Sequence, residues 1–438
     1  MHFYKFVTVV LMIASPLSAA DWPHWRGPFY NGTTQEKNLP AQWSQTDNIA
    51  WRVDLKGSSG SSPIVWRNRV FLSGIDKDRD MLLALCFDRS NGDLVWSRDV
   101  AQGISRDSRS TYAASSPVTD GQRVVFYFAS GDLVCFDMSG QRQWARNLHK
   151  DYGQFAFQWT FSSSPLLYDG VLYFQVLQRD VPARGRGLTD QTNDSYILAM
   201  KPENGKTLWR QIRPSQAKAE SRESFTSPLP FEVNGKMQLV VVGGDDVTGH
   251  DLKTGKELWR WGTWNPKRIG HWRLVPSAVV GDGTVLVCAP KGDPIYGIRP
   301  NGRGTLSDSA IAWTSEAQVK EVSADVPTPA FYEGDFFVLN DLRKHLSRLD
   351  PKTGAVKWSV ATPGRAKYEA SPLVADGKVY LINHAGHAVV LDASNGQVLM
   401  EVDMDDPQGR EVVRASIVAA GGQLLIRTTR ALYCVGVK

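Results

Sequence analysis

Arginines, carboxylates and tryptophans recur at one point of this sequence, a few residues ahead of short apolar runs. They are Arg109, Trp159, Arg222 with Glu223, Trp272 with Arg273, Asp325, Glu369 and Arg414. Lys291 and Asn340 occupy a second recurring point, between two apolar runs, as do Asp245 and His384. Guanidinium and carboxylate groups grip polar ligands through charge-assisted hydrogen bonds, and indole rings add apolar contact. The structural alternative is that these groups pair with one another as solvated rims, and such ion pairs are common. Arg109, Trp159, Arg222, Glu223, Trp272, Arg273, Lys291, Asp325, Asn340, Glu369 and Arg414 are therefore candidate ligand-binding residues, with no catalytic role assigned by spacing.

Sharper motifs are missing. His384-Ala-Gly-His387 has two histidines three apart, without the further Cys or carboxylate ligands that zinc takes. Gly243-Gly-Asp-Asp-Val-Thr-Gly249 is acidic and glycine-rich but lacks the ligand spacing of a calcium-binding loop. No G-x-S-x-G elbow and no GxxxxGK[ST] phosphate loop occurs, so no metal site and no nucleophile is assigned.

The elements that must position these residues repeat. An aspartate, a glycine-containing turn and a tryptophan form Asp88-Arg-Ser-Asn-Gly92-Asp-Leu-Val-Trp96, Asp251-Leu-Lys-Thr-Gly255-Lys-Glu-Leu-Trp259 and Asp350-Pro-Lys-Thr-Gly354-Ala-Val-Lys-Trp358. Another copy ends at Met400, and weaker ones end at Trp144, Trp209 and Trp313. A second landmark is Ser/Thr-Pro opening a short apolar strand, as in Ser62-Pro63, Ser116-Pro117, Ser164-Pro165, Ser227-Pro228, Thr328-Pro329 and Ser371-Pro372. Ser277 and Ser416 mark two degenerate copies. Proline is tolerated at the first residue of a strand, so the landmarks mark eight strand starts. Asp-Gly and Asn-Gly hairpin turns follow, then alternating β-branched and aromatic strands.

Each unit is a four-stranded antiparallel meander, and such units arranged around an axis make an all-β propeller of eight blades. The last unit lacks its fourth strand, while Ile49-Ala-Trp51-Arg-Val-Asp-Leu55 is a spare fourth strand. Joining them closes the ring and leaves no open sheet end. Trp51, Trp96, Trp144, Trp209, Trp259, Trp313 and Trp358 are read as blade-to-blade packing residues. Parity puts the inter-blade loops and the second-to-third-strand loops on one face, where the candidate residues lie. That face also carries the long loop from Arg179 to Asp194, and the tight turns fall on the other face.

Residues 1–20 read as a secretory signal: Lys5, an apolar stretch from Phe6 to Ala14, then Ser18-Ala19-Ala20 before Asp21. The apolar stretch is too short for a permanent membrane span. Residues 21–48 are expected to lie over one surface as an irregular arm, and 49–438 to form the single propeller domain. A formal net charge of +5 is mild for 438 residues and argues against nucleic acid as a partner. Cys86, Cys135 and Cys434 fall at equivalent points of different repeats, too far apart for disulfides, and are read with Cys288 as buried strand residues.

The Gly-x-x-x-Trp blade motif resembles the repeat of the pyrroloquinoline quinone (PQQ)-like β-propellers, over about residues 49 to 438. That family includes quinoprotein alcohol dehydrogenases and BamB-like scaffolds of outer-membrane assembly. In the dehydrogenases the resemblance implies an axial quinone with a calcium-type ion, a catalytic Asp and a disulfide between adjacent cysteines. This chain has no Cys-Cys pair and no CxxCH haem motif. The resemblance therefore implies an exported, periplasmic or extracellular, non-catalytic binding or assembly scaffold without cofactor. Its partner would be a protein or a cell-envelope glycan on the loop-rich face. A monomer that does not span the membrane is expected. The alternative is a small quinoprotein alcohol or sugar dehydrogenase using PQQ and calcium, with Asp325 or Glu369 as base near Arg273. An axial funnel plugged by Trp159 and Trp272 would rule that alternative out.

Overall fold

A computed structural model describes residues 21–436 except 106, 108, 109, 263 and 405–410, so the expected signal segment and Arg109 lie outside the described residues. Eight antiparallel sheets follow one another in chain order, over residues 64–102, 118–147, 166–212, 229–261, 279–314, 330–361 and 373–403, with 418–435 joined by 49–54. The only α-helix among the described residues is the short Leu148–Tyr152. The eighth blade is completed by the spare strand: Ile49–Asp54 pairs antiparallel with Ala431–Val435, Trp51 opposite Cys434. All four cysteines are buried free thiols, and burial pushes that of Cys86 up to about 12.

The repeated tryptophan works because the next blade supplies a bare glycine. Trp51, Trp96, Trp144, Trp209, Trp313 and Trp358 each donate the indole N–H to a carbonyl in the turn of the following blade, at 2.6–3.2 Å. Each ring lies on that turn's glycine: a Cβ on Gly354 would stand 2.5 Å from the Trp313 ring, and one on Gly140 2.7 Å from Trp96. Gly354 also has φ +70°, so the turn and the close approach demand the same residue. The aspartate of the motif closes the turn, Asp350 Oδ1 accepting the N–H of Lys352 and Thr353 at 2.9 Å.

Trp259 is the exception. The fifth blade has a longer connection in place of the tight turn, and Trp259 instead donates to Gln238 Oε1 at 2.8 Å and lies on Gly249 of its own blade. The longer connection compensates by adding Gly304–Thr305 as a short parallel strand against Trp259 and Arg260.

At the axis, the serine or threonine of each strand start forms a closed belt. The backbone N–H of Ser62 donates to Ser116 Oγ, Ser116 to Ser164, Ser164 to Ser227, Ser227 to Ser277, Ser277 to Thr328, Thr328 to Ser371, Ser371 to Ser416 and Ser416 back to Ser62, all at 2.9–3.1 Å. The innermost strand of a blade has no further strand on its axial side, so these N–H groups need an acceptor from elsewhere. The neighbouring hydroxyl provides it.

The arm does more than cover a surface. It runs along the inner strands, accepting the N–H of Val65 at Trp22, of Thr119 at Pro23, of Phe331 at Asn31 and of Val374 at Gly32, at 2.8–3.2 Å. Arg26 is buried at the axis and donates to the carbonyls of Pro329 and Pro372, at 2.7 and 3.2 Å. The arm is irregular, and beyond lying over the fold its carbonyls satisfy N–H groups that the inner strands leave unpaired.

Trp259→Ala is expected to lower the unfolding free energy by about 3–5 kcal/mol, as for other buried aromatic truncations; an unchanged urea midpoint would remove its packing role. Ser116→Ala leaves the Ser62 N–H without its acceptor and should cost about 1–3 kcal/mol in the same titration.

Candidate functional site

The inter-blade loops converge on an axial funnel with about 1160 Å³ of space continuous with solvent. Its wall carries Ser116, Ser164, Ser227, Thr328, Ser371 and Ser416 of the hydroxyl belt, and Trp25 of the arm lines it as well. Four of the candidate residues meet there: Trp159, Arg273, Glu369 and Arg414. They share one mouth because each stands two to five residues before a belt residue, and the belt fixes all eight strand starts around one axis.

Glu369 and Arg414 are engaged with each other, Arg414 Nε donating to Glu369 Oε2 at 3.0 Å. His384 Nε2 stands 2.8 Å from the same oxygen. Burial by itself would raise the Glu369 carboxyl, but His384 and Arg414 outweigh it and hold the group down at about 2. A carboxylate so acidic is a hydrogen-bond acceptor at neutral pH and a poor general base. Arg273 has a looser partner, Glu220, at 3.8 Å. The indole of Trp159 carries the Arg184 guanidinium 4.5 Å from its ring centroid, so the long loop from Arg179 leans over this wall. Arg186 of that loop also reaches Asp107, at 3.8 Å.

The remaining candidates stand away from the funnel lining and serve the loops. Glu223 is fully buried against the Arg179 guanidinium and accepts the N–H of Gln158 at 3.1 Å; burial pushes its carboxyl up to about 7. Arg222 pairs with Asp180 at 3.3 Å and donates to the carbonyls of Ser215 and Ala217. Trp272 packs beside the fourth-blade core, its backbone N–H donates to Ser221 Oγ, and it stands outside the funnel lining, so it does not plug the funnel. Asp325 accepts the backbone N–H of Lys291 at 2.7 Å and donates its own to Asp341, which places it in loop closure. Asn340 is buried, donates to the Lys320 carbonyl and accepts from Arg343 N–H. Spacing before an inner strand fixes the height of a residue on the loop face; loop packing decides which way the side chain turns.

Sequence reasoning missed two contributors to the site. One is Trp25, whose signal was a tryptophan-rich stretch ahead of the first strand. The other is the belt, whose signal was the hydroxyl residue in front of nearly every landmark proline.

A calcium-bound quinone needs several oxygen ligands converging on the axis. Among the described residues Glu369 is the single carboxylate lining the funnel, and it is already held by a guanidinium with an imidazole beside it. No group of three His, Cys, Asp or Glu suited to a metal occurs among the described residues. The described donors of the funnel therefore do not fit a calcium ion. His387 bonds Asp403 and Glu401, at 2.6 and 2.9 Å, while His384 faces Glu369, so the two histidines serve different partners. Asp245, pushed up to about 6 by burial, is bonded by Asn265 and Arg268. Arg213 donates to the carbonyls of Gly243 and Asp246, which pins that turn from inside.

A family model described as outer membrane protein assembly factor BamB matches residues 33–181, 156–304 and 301–437. Quinoprotein glucose dehydrogenase A of Acinetobacter calcoaceticus is 22% identical over 240 residues, 48% of this chain and 27% of that protein; the chain thus spans about a quarter of that relative. The structure of quinohemoprotein alcohol dehydrogenase from Comamonas testosteroni superposes with a TM-score of 0.61 at 15% identity, over 96% of this chain and 81% of the other. BamB from Moraxella catarrhalis superposes with a TM-score of 0.56 at 12% identity, over 88% and 96%. At these identities the likenesses show the fold.

Because Glu369 has a depressed folded-state pKa, its stabilisation is present above the ordinary carboxyl value of 4.5 and is lost as pH falls towards about 2. Glu369→Gln is expected to melt below the parent protein at neutral pH, with the gap closing across that window. A gap that does not change with pH would show that the charge is not what the loops use.

Proposed function

The chain belongs to the family described as outer membrane protein assembly factor BamB, and from that premise we propose that it is an exported, non-catalytic binding or assembly scaffold of the cell envelope. In this reading the monomeric propeller presents its loop-rich face to a protein or a glycan. The observation that carries the reading is the asymmetry of the axis. One end is packed by the chain's own arm, and the other opens as a funnel whose one carboxylate among the described residues is already engaged by Arg414, with His384 beside it. A rigid ring with one open, polar end suits recognition. Export of the chain rests on the signal-like residues 1–20, and no helix among the described residues is long and apolar enough to cross a membrane.

A second reading, a quinoprotein oxidoreductase, is favoured by one observation: the funnel is open and has the indole of Trp25 in its lining. PQQ would there meet Arg273 and the belt hydroxyls, and would supply two-electron oxidation when bound. The described funnel residues offer no fitting set of calcium donors, which weighs against it.

Two measurements separate the readings. Protein purified from a PQQ-supplemented culture should carry no quinone absorption and give no dye-linked oxidation of alcohols or sugars; a chromophore with turnover would transfer the chain to the oxidoreductases. A photo-crosslinker placed at Arg184, on the rim, should join envelope components, whereas one at Asp282, on the tight-turn face, should not. Equal labelling from both sites would defeat the assignment of the binding face. The cell-envelope fraction should yield a chain whose sequenced N-terminus is Asp21.

A further inference from the structure

Behind the funnel, between the arm and the third to fifth blades, lies a small chamber lined by His24, Arg26, Tyr30 and the belt residues Ser164, Ser227 and Ser277. Its polarity is one-sided. Arg26 is buried, and no carboxylate among the described residues forms an ion pair with it. Two of its nitrogens donate to carbonyls, but Nε has no partner. Nδ1 of His24, also buried, has none either. Each of the three belt hydroxyls has accepted a neighbour's N–H, and none has a described acceptor for its own proton. The unpartnered Arg26 Nε–H and three hydroxyl protons without a described acceptor therefore line one small space beside a guanidinium whose partners are carbonyls and not a carboxylate, and a buried charge is costly unless something pairs with it.

We propose that this chamber binds a small monovalent anion of chloride size, held by Arg26 Nε and the hydroxyls of Ser164, Ser227 and Ser277. A carboxylate-bearing metabolite does not fit a space with room for only about 30 Å³, walled by the arm and by the residues that follow two of the belt serines, Pro165, Leu166, Pro228 and Leu229. A cation is opposed by Arg26. A water molecule satisfies hydroxyl and imidazole groups but leaves the charge of Arg26 unbalanced, whereas an anion does both. Burial draws the Arg26 guanidinium down to about 9 and the His24 imidazole to about 3, so at neutral pH the chamber holds one positive charge and a neutral ring. The bound anion would fasten the arm to the belt, because Arg26 belongs to the arm and the hydroxyls to three separate blades.

The test uses the mature full-length protein. Melting in sodium chloride and in sodium gluconate at equal ionic strength should give a higher midpoint in chloride, since an ion that binds only the folded state stabilises it by mass action. Crystals grown in bromide should show an anomalous peak between Arg26 and the hydroxyls of Ser227 and Ser277. Ser227→Ala should weaken the halide dependence of the midpoint by about tenfold in apparent affinity, and Arg26→Gln should abolish it. If Arg26→Gln fails to fold, the bromide crystals and Ser227→Ala decide. Identical melting in the two salts, or a site with water-like density and no anomalous signal in bromide, overturns the proposal. Neither result bears on binding at the loop face, which is read by the crosslinking experiment.

Discussion

Eight backbone N–H groups at the axis have no strand to bond to, and the structure depends on how they are satisfied. Each blade's innermost strand begins at a residue whose N–H points at its neighbour, and the neighbour's hydroxyl accepts it, round to Ser416 and back to Ser62 across 354 positions of sequence. A buried N–H left unpaired costs more than the bond itself is worth. The belt therefore fixes the spacing of the blades at the axis, the width of the funnel and the height at which each inter-blade loop begins.

The periphery is held by a different device with the same logic. An indole from one blade covers the turn glycine of the next and donates into its carbonyl, so each blade completes the packing of its neighbour. Blade five shows what happens when the turn is replaced: Trp259 turns back on Gly249 and the longer connection pairs with the outer strand instead. Belt and indoles together make the scaffold rigid, and rigidity lets loops of varied sequence hold fixed positions on one face.

The same two ends of the axis differ because of charge. On the arm side, Arg26 brings a buried guanidinium against backbone carbonyls. On the loop side, Glu369 is engaged by Arg414 with His384 beside it, and Arg273 keeps only a long contact to Glu220. The described wall of the funnel is polar, with indole in it, and the carboxylate that could have served as a base is held ionised by its neighbours.

The sequence by itself determined the eight blades, the strand order within each, the supply of the last strand by the segment around Trp51 and the division into a tight-turn face and a loop-rich face. These follow from local chemistry: glycine turns, proline at strand starts and alternation within a few residues. Only the tertiary structure decided that the hydroxyls before the prolines form a belt, and that the arm enters the axis. It also decided that Trp159, Arg273, Glu369 and Arg414 share the funnel, while Arg222, Glu223, Trp272, Lys291, Asp325 and Asn340 brace the loops. Those outcomes depend on which side chain a loop turns inward, and that is set by contacts between blades. Arg179 on Glu223 and Lys291 on Asp325 are such contacts, and no local pattern specifies them.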